Sequence, residues 1–287
     1  MNGRHDVWKQ AVRLVAVVCA AVALCLSSAA QAQAQAQTQA TAPDQYKPTV
    51  GQPGKDAVWV PTSPALVEKM LDMAKVTKND FVMDLGSGDG RNIIAAAKRG
   101  ARGVGVEWNA DLVTLSNRAA EKEGVGNLAK FVQGDMYAAD VSKATVLALF
   151  LLTENMDKMV DKFLAMKPGT RIVVNTFGIS GWTPDESEKV ENDCTNWCTS
   201  QLWIVPAKAE GTWTLPQGEL TLKQEFQMLS GSLQGQPIAN GRMRGERIQF
   251  TSATGAQIEG RVVGDTMTGT MAVGGTTTPF KAVRAKK

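Results

Sequence analysis

Histidine is almost absent from this sequence: 287 residues hold one, His5. Tyrosine appears twice and cysteine four times. His5, Cys19 and Cys25 all fall within residues 1–32, which read as an export signal. The chain beyond them therefore has no imidazole. That excludes Ser–His–Asp and Cys–His nucleophiles and every His-ligated metal site, so no metal is expected. A field of one charge sign is missing too. Of 31 basic and 28 acidic residues, taking away Arg4, Lys9, Arg13 and Asp6 leaves 28 and 27, a net of +1. No basic surface remains to attract nucleic acid, and none is expected as a partner.

The signal reading rests on three parts in order. Arg4, Lys9 and Arg13 form a positive start, residues 14–28 (LVAVVCAAVALCLSS) an apolar run, and AAQAQAQA a set of A-x-A cleavage sites. The apolar run is short for a spanning helix, which needs about 20 residues. We expect cleavage after Ala32, with an uncleaved inner-membrane anchor as the alternative. In both cases the rest of the chain is expected in the periplasm, touching membrane only through that segment. Cys194 and Cys198 remain. In an oxidising compartment they form a short disulfide clamp on a surface hairpin, or else stay two free thiols.

Residues 33–57 are rich in Gln, Ala, Pro and Thr and predict a disordered linker. From 58 to 207, strand and helix patterns alternate. A helix over 62–74 precedes strands at 81–85, 103–107, 129–134, 144–151, 170–176 and 198–205, with helices at 91–99, 110–123 and 154–165. Such alternation implies a doubly wound α/β sheet. Residues 208–287 change character: period-two runs split by Gly and Thr predict a small antiparallel β-barrel or sandwich. Its expected inward set is Phe226, Met228, Leu233, Ile248, Phe250, Val262 and Phe280.

The chemistry concentrates at three strand ends. Asp84-Leu85-Gly86-Ser87-Gly88-Asp89-Gly90-Arg91 joins the first strand to a helix. Glycines there let backbone approach a ligand, and the helix start favours an anionic group. Glu107 ends the second strand, 23 residues on, and Gly134-Asp135-Met136 follows the third. Asp84 suits an ammonium, Glu107 a ribose diol, and Asp135 an adenine amino group, with Met136 packing on the ring. The ligand carrying all of these, together with a carboxylate, is S-adenosylmethionine (SAM). Asp84, Gly86, Ser87, Gly88, Gly90, Glu107, Asp135 and Met136 are its expected contacts. A nicotinamide dinucleotide would call for a third glycine where Arg91 stands.

DLGSGDGR, GVGVE and QGD match class I SAM-dependent methyltransferases in general. VWVPTSPALVEKML, DLGSGDGRNIIAAAKRGARGVGVE, DVSKATVLALFLL and the later GW-P-D resemble the ATP synthase c-subunit lysine methyltransferase family and its bacterial relatives. The resemblance covers about 58–206. It implies a Rossmann-like seven-stranded fold, SAM as cofactor and a protein lysine as acceptor. Relatives tend to show Tyr-Leu-Leu-Pro after the fourth strand, where this chain has Phe150-Leu151-Leu152-Thr153. Glu154, next in line, is the one candidate to position an acceptor amine. Its other reading is a helix-start acid. A small-molecule methyltransferase and an exported, non-catalytic binding or assembly protein are the alternatives, the latter because SAM is made in the cytoplasm.

Overall fold

The computed structural model describes residues 46–216 and 218–285. The expected signal, 1–32, and residues 33–45 of the expected linker lie outside the described residues. Residues 48–57, expected to be structureless, are instead ordered. Gly51 and Trp59 bond across a tight turn, Gly54 donates to the Ala57 carbonyl, and Pro53 bridges to Val58. Gly51 makes the turn with φ of 85°, a left-handed value that favours glycine.

The first sheet contains β1 Phe81–Leu85, β2 Arg102–Glu107, β3 Ala129–Gln133, β4 Val146–Leu149, β5 Arg171–Asn175, β6 Glu186–Lys189 and β7 Thr199–Ile204. Their spatial order is β3-β2-β1-β4-β5-β7-β6. The first five run parallel, and β7 is antiparallel to both β5 and β6. Alternate residues of each strand enter opposite cores. Val82, Val146, Ala148, Val173 and Leu202 face one way, toward helices α1 Pro64–Met73, α2 Arg91–Lys98 and α3 Ala110–Lys122. Met83, Leu147, Leu149, Ile172, Val174 and Trp203 face the other, toward α4 Thr153–Asp157 and α5 Val160–Leu164. Burial on both faces is why these strands are so uniformly apolar.

The helix starts carry the caps that the sequence suggests. Ser63 accepts from the Leu66 amide ahead of Pro64, and Asn109 accepts from the amides of Asp111 and Leu112. Two expectations differ. The helix expected over 154–165 is two short ones, interrupted at Lys158 and Met159. Strand β6, Glu-Ser-Glu-Lys, was not anticipated. It lies at the sheet edge, where polar side chains face water and leave no apolar alternation.

The second sheet is a closed barrel. Strands β8 Gly211–Leu215, β9 Gly218–Glu225, β10 Met228–Leu233, β12 Ala239–Arg244, β13 Arg247–Thr251, β14 Gln257–Val263, β15 Thr266–Val273 and β16 Thr276–Arg284 pair in turn, and β16 returns to β8. The two-residue β11, Gln236–Pro237, adds to β10. Trp213, Met243, Phe250 and Met267 fill the interior. The barrel bears out the period-two reading, and Gly245 makes the tight turn between β12 and β13.

Leu233, Ile248, Phe250, Val262 and Phe280 point inward as expected. Phe226 and Met228 do not. Met228 is half exposed, and Phe226 sits in the β9–β10 turn, where it stacks on Trp182 at 5.2 Å between ring centres. Phe226 thus belongs to the seam between the two sheets. Arg242 pairs there with the fully buried carboxylate of Asp185 at 2.8 Å, and Gln227 donates to the Thr183 carbonyl. Phe226→Ala should cost about 2 kcal/mol, less than a fully buried Phe would, because the ring is only partly covered. Chemical denaturation measures this; an unchanged midpoint would mean the seam contributes nothing to stability.

Candidate active site

The carboxyl ends of the parallel strands open on a cavity of about 270 Å³. It lies where the chain order reverses between β1 and β4, the place where open α/β sheets bind ligands. Seven of the eight expected cofactor contacts line it: Asp84, Gly86, Ser87, Gly88, Glu107, Asp135 and Met136. Gly90 does not. It precedes α2 with φ of 82°, and a side chain there would strike Phe131 and Ser116, so its role is to let α2 pack.

The glycine-rich turn is built from behind. The amides of Gly86 and Ser87 both donate to the Val106 carbonyl of β2. A Cβ on Gly105 would come within 2.5 Å of the Ser87 hydroxyl, so the neighbouring strand must offer a glycine there. Glu107 is fixed at both oxygens, accepting from the amides of Gly88 and Asn109 at 2.9 Å each. Each oxygen keeps a lone pair for a hydroxyl.

Asp84 is buried at the end of β1. One oxygen accepts from Asn92 of α2 at 3.0 Å, and the other, Oδ1, has no partner. Burial pushes its pKa up to about 8; the Asn92 hydrogen bond opposes the shift, while the charges of Glu107 and Asp89 add to it. A buried carboxylate oxygen without a partner, beside an unpartnered Ser87 hydroxyl, fits an incoming ammonium. The donor set therefore suits the amino-acid part of SAM.

Asp135 departs from expectation. Its Oδ2 is taken by Lys55 at 2.5 Å and its Oδ1 by the Tyr137 amide. The hydrogen bond from Lys55 is the main reason its carboxyl is held below the usual range. Lys55 also lies 4.9 Å from the centre of the Trp108 ring. It arrives on the ordered turn at 51–59, whose Trp59 covers Gly88. Asn155 of α4 anchors that turn by donating to the Asp56 carbonyl. Each Asp135 oxygen thus already has one partner, and an adenine amino group placed here would share the carboxylate with Lys55 or displace it.

Glu154 takes its other expected place, as a helix-start acid. It is exposed, absent from the cavity lining and seated in the first turn of α4, where an acid favours the helix dipole. The residues that the sequence reading missed are Lys55, Trp59, Asn92 and Trp108, with Phe177 and Trp197 on the far wall. Asn92 carried a signal, as a polar residue on the buried face of a helix otherwise made of Ile and Ala.

Strand order, glycine-rich turn and acids at successive strand ends define a class I SAM-dependent methyltransferase. The ANTKMT methyltransferase domain matches residues 84–186. A protein-lysine N-methyltransferase of Saccharolobus islandicus is 44% identical over 151 residues, which are 51% of this chain and 92% of that protein. The ATP synthase c-subunit lysine N-methyltransferase of Rattus norvegicus is 34% identical over 130 residues, covering 45% of this chain and 60% of that one. A solved structure described as an RNA methyltransferase from Salinibacter ruber, in complex with S-adenosylhomocysteine, is 40% identical. It covers 52% of this chain and 95% of its own, with a TM-score of 0.49. The chain belongs to the methyltransferase family that includes the Saccharolobus protein, and SAM is its cofactor.

The raised pKa of Asp84 gives cofactor binding a defined pH dependence. In the free protein the group is mostly protonated at pH 7, while beside an ammonium it is ionised. Binding at pH 7 should release close to one proton, and affinity should rise with pH until about 8. Conversely, this group's stabilisation of the free fold is complete below about pH 4 and is lost as pH rises through 8. Calorimetry in buffers of different ionisation enthalpy measures the release. Asp84→Asn should abolish it and weaken binding by about 1.5–3 kcal/mol. A wild type that binds with no proton released would refute the assignment of Asp84.

Proposed function

We propose that this protein transfers the SAM methyl group to the side-chain amine of a protein lysine, and that it works outside the inner membrane. The observation that carries the acceptor class is the division of the cavity. Carboxylates line the side under β1, β2 and β3, while Phe150, Leu151, Phe177 and Trp197 line the side under β4, β5 and the β6–β7 hairpin. An apolar wall suits the long methylene stem of lysine. The relatives named as lysine methyltransferases support the same class.

SAM supplies, when bound, a methyl group already activated on a sulfonium, so no strong acid is needed. The chain's own residues then bind and orient. Asp84 takes the ammonium, Glu107 the ribose hydroxyls, and Gly86 and Gly88 allow the close backbone approach. The turn carrying Trp59 lies against Gly88 at the edge of the cavity. The acceptor amine must shed its proton before it can attack, and it does so to solvent at the mouth. A small-molecule acceptor is the competing outcome.

Incubating the protein with isotopically labelled SAM and an extract of its native host tests the acceptor. Label should appear on lysine Nε after total hydrolysis of the protein fraction. Label found only in small molecules or in RNA would defeat the proposal.

The export half rests on the N-terminal pattern and on the Cys194–Cys198 disulfide, which suits an oxidising compartment. Protein recovered from the periplasm of the native host should begin near Gln33. Recovery from the cytoplasm with Met1 intact would overturn it.

A further inference from the structure

We propose that Phe150, Phe177 and Trp197 form the acceptor subsite, seating the lysine ammonium and its methylated forms against aromatic faces. The Cys194–Cys198 disulfide acts there as the positioning element that keeps Trp197 in the wall. The proposal rests on the amine methyltransferase reading above.

The three rings come from separate elements. Phe150 follows β4, Phe177 follows β5, and Trp197 comes from the β6–β7 hairpin. Phe150 and Phe177 stack at 6.1 Å between ring centres with planes 12° apart. Trp197 stands at 6.0 Å from Phe150, tilted by 57°. All three line the cavity, on the opposite side of β1 from Glu107 and Asp135.

Trp197 is the unusual member. It is 44% exposed, so burial does not hold it. Its φ is 53°, in the left-handed region that non-glycine residues rarely adopt, and Asp193 at the other end of the loop has φ of 58°. A disulfide joins Cys194 to Cys198, closing the four-residue step that contains Trp197. An exposed indole on a disfavoured backbone needs a covalent hold to keep one position.

The chemistry of successive methylation selects aromatic faces over carboxylates. Each methyl transferred to the neutral amine takes the place of one N–H hydrogen, and the product, positively charged as the lysine ammonium was, offers one donor fewer. A hydrogen-bonding seat loses a partner at every step. A ring face attracts the cation by its quadrupole and gains apolar contact as methyls accumulate. Unmodified and methylated lysine are thus both held, the methylated forms better.

The test uses the full chain with its disulfide intact, saturated with S-adenosylhomocysteine and titrated by NMR. The probes are Nα-acetyl-lysine amide, its Nε-trimethyl form and the neutral Nα-acetyl-norleucine amide. The trimethyl form should bind best and norleucine worst. Trp197→Ala should weaken trimethyl-probe binding roughly fivefold or more, and Trp197→Phe should restore most of it. Cys194→Ser with Cys198→Ser should weaken the probe in the same direction. All variants should hold S-adenosylhomocysteine as the wild type does, which a merely unfolded site would not. Equal binding of norleucine, or full affinity in Trp197→Ala, overturns the subsite. Full affinity in the serine variant overturns the role of the disulfide. A wild type that does not bind S-adenosylhomocysteine overturns instead the reading on which the proposal rests.

Discussion

Asp84 is held inside the protein by a strand that has no freedom to release it. β1 is paired on both sides, to β2 and to β4, and its last four residues are buried. One carboxylate oxygen is satisfied by Asn92 and the other is left open to the cavity. Leaving such a group unpaired is costly, and the free protein lowers the cost by favouring the neutral acid. The rest of the site is arranged around that point. Asn92 fixes α2 to β1, the glycine-rich turn leans on β2, and the bond from the Gly88 amide to Glu107 ties the turn to the second acid.

The strand order then assigns work to the two flanks of β1. On one side the strand ends deliver carboxylates, on the other aromatic rings. The proposed cofactor and acceptor sides adjoin at the switch between β1 and β4. The chain also brings its own cation to the far end of the cofactor side. Lys55 neutralises Asp135 until something else does, so that carboxylate does not face an empty cavity.

Much of this was legible in the sequence because it follows from local pattern. The apolar strands declared themselves by being buried on both faces, and the acids by their place at strand ends. Most element bounds lie within a residue or two of the expected ones. What escaped notice depends on contacts distant in sequence. The turn at 51–59 has a loop's composition, and its contacts through Lys55, Asp56 and Trp59 are with residues far away in sequence. β6 is a strand by virtue of its neighbour β7, with no apolar residue of its own. Phe226 has a strand-like setting, yet it faces Trp182 because its turn touches the first sheet. Glu154 follows β4 in sequence, but the chain turns there into α4 and leaves the side chain exposed.

Closure of the barrel ties residues 74 positions apart. Arg284 on β16 donates to the carbonyls of Lys208 and Glu210, and its guanidinium lies 4.2 Å from the centre of the Trp213 ring. β8 therefore has no outer neighbour until β16 has been made, and a chain emerging from its N-terminal side carries an open sheet edge for as long as that takes. The first sheet suffers no such delay, since its seven strands are all in hand by residue 204. The order of synthesis thus gives the SAM-binding half a head start over the barrel, whose sheet closes only with its last strand.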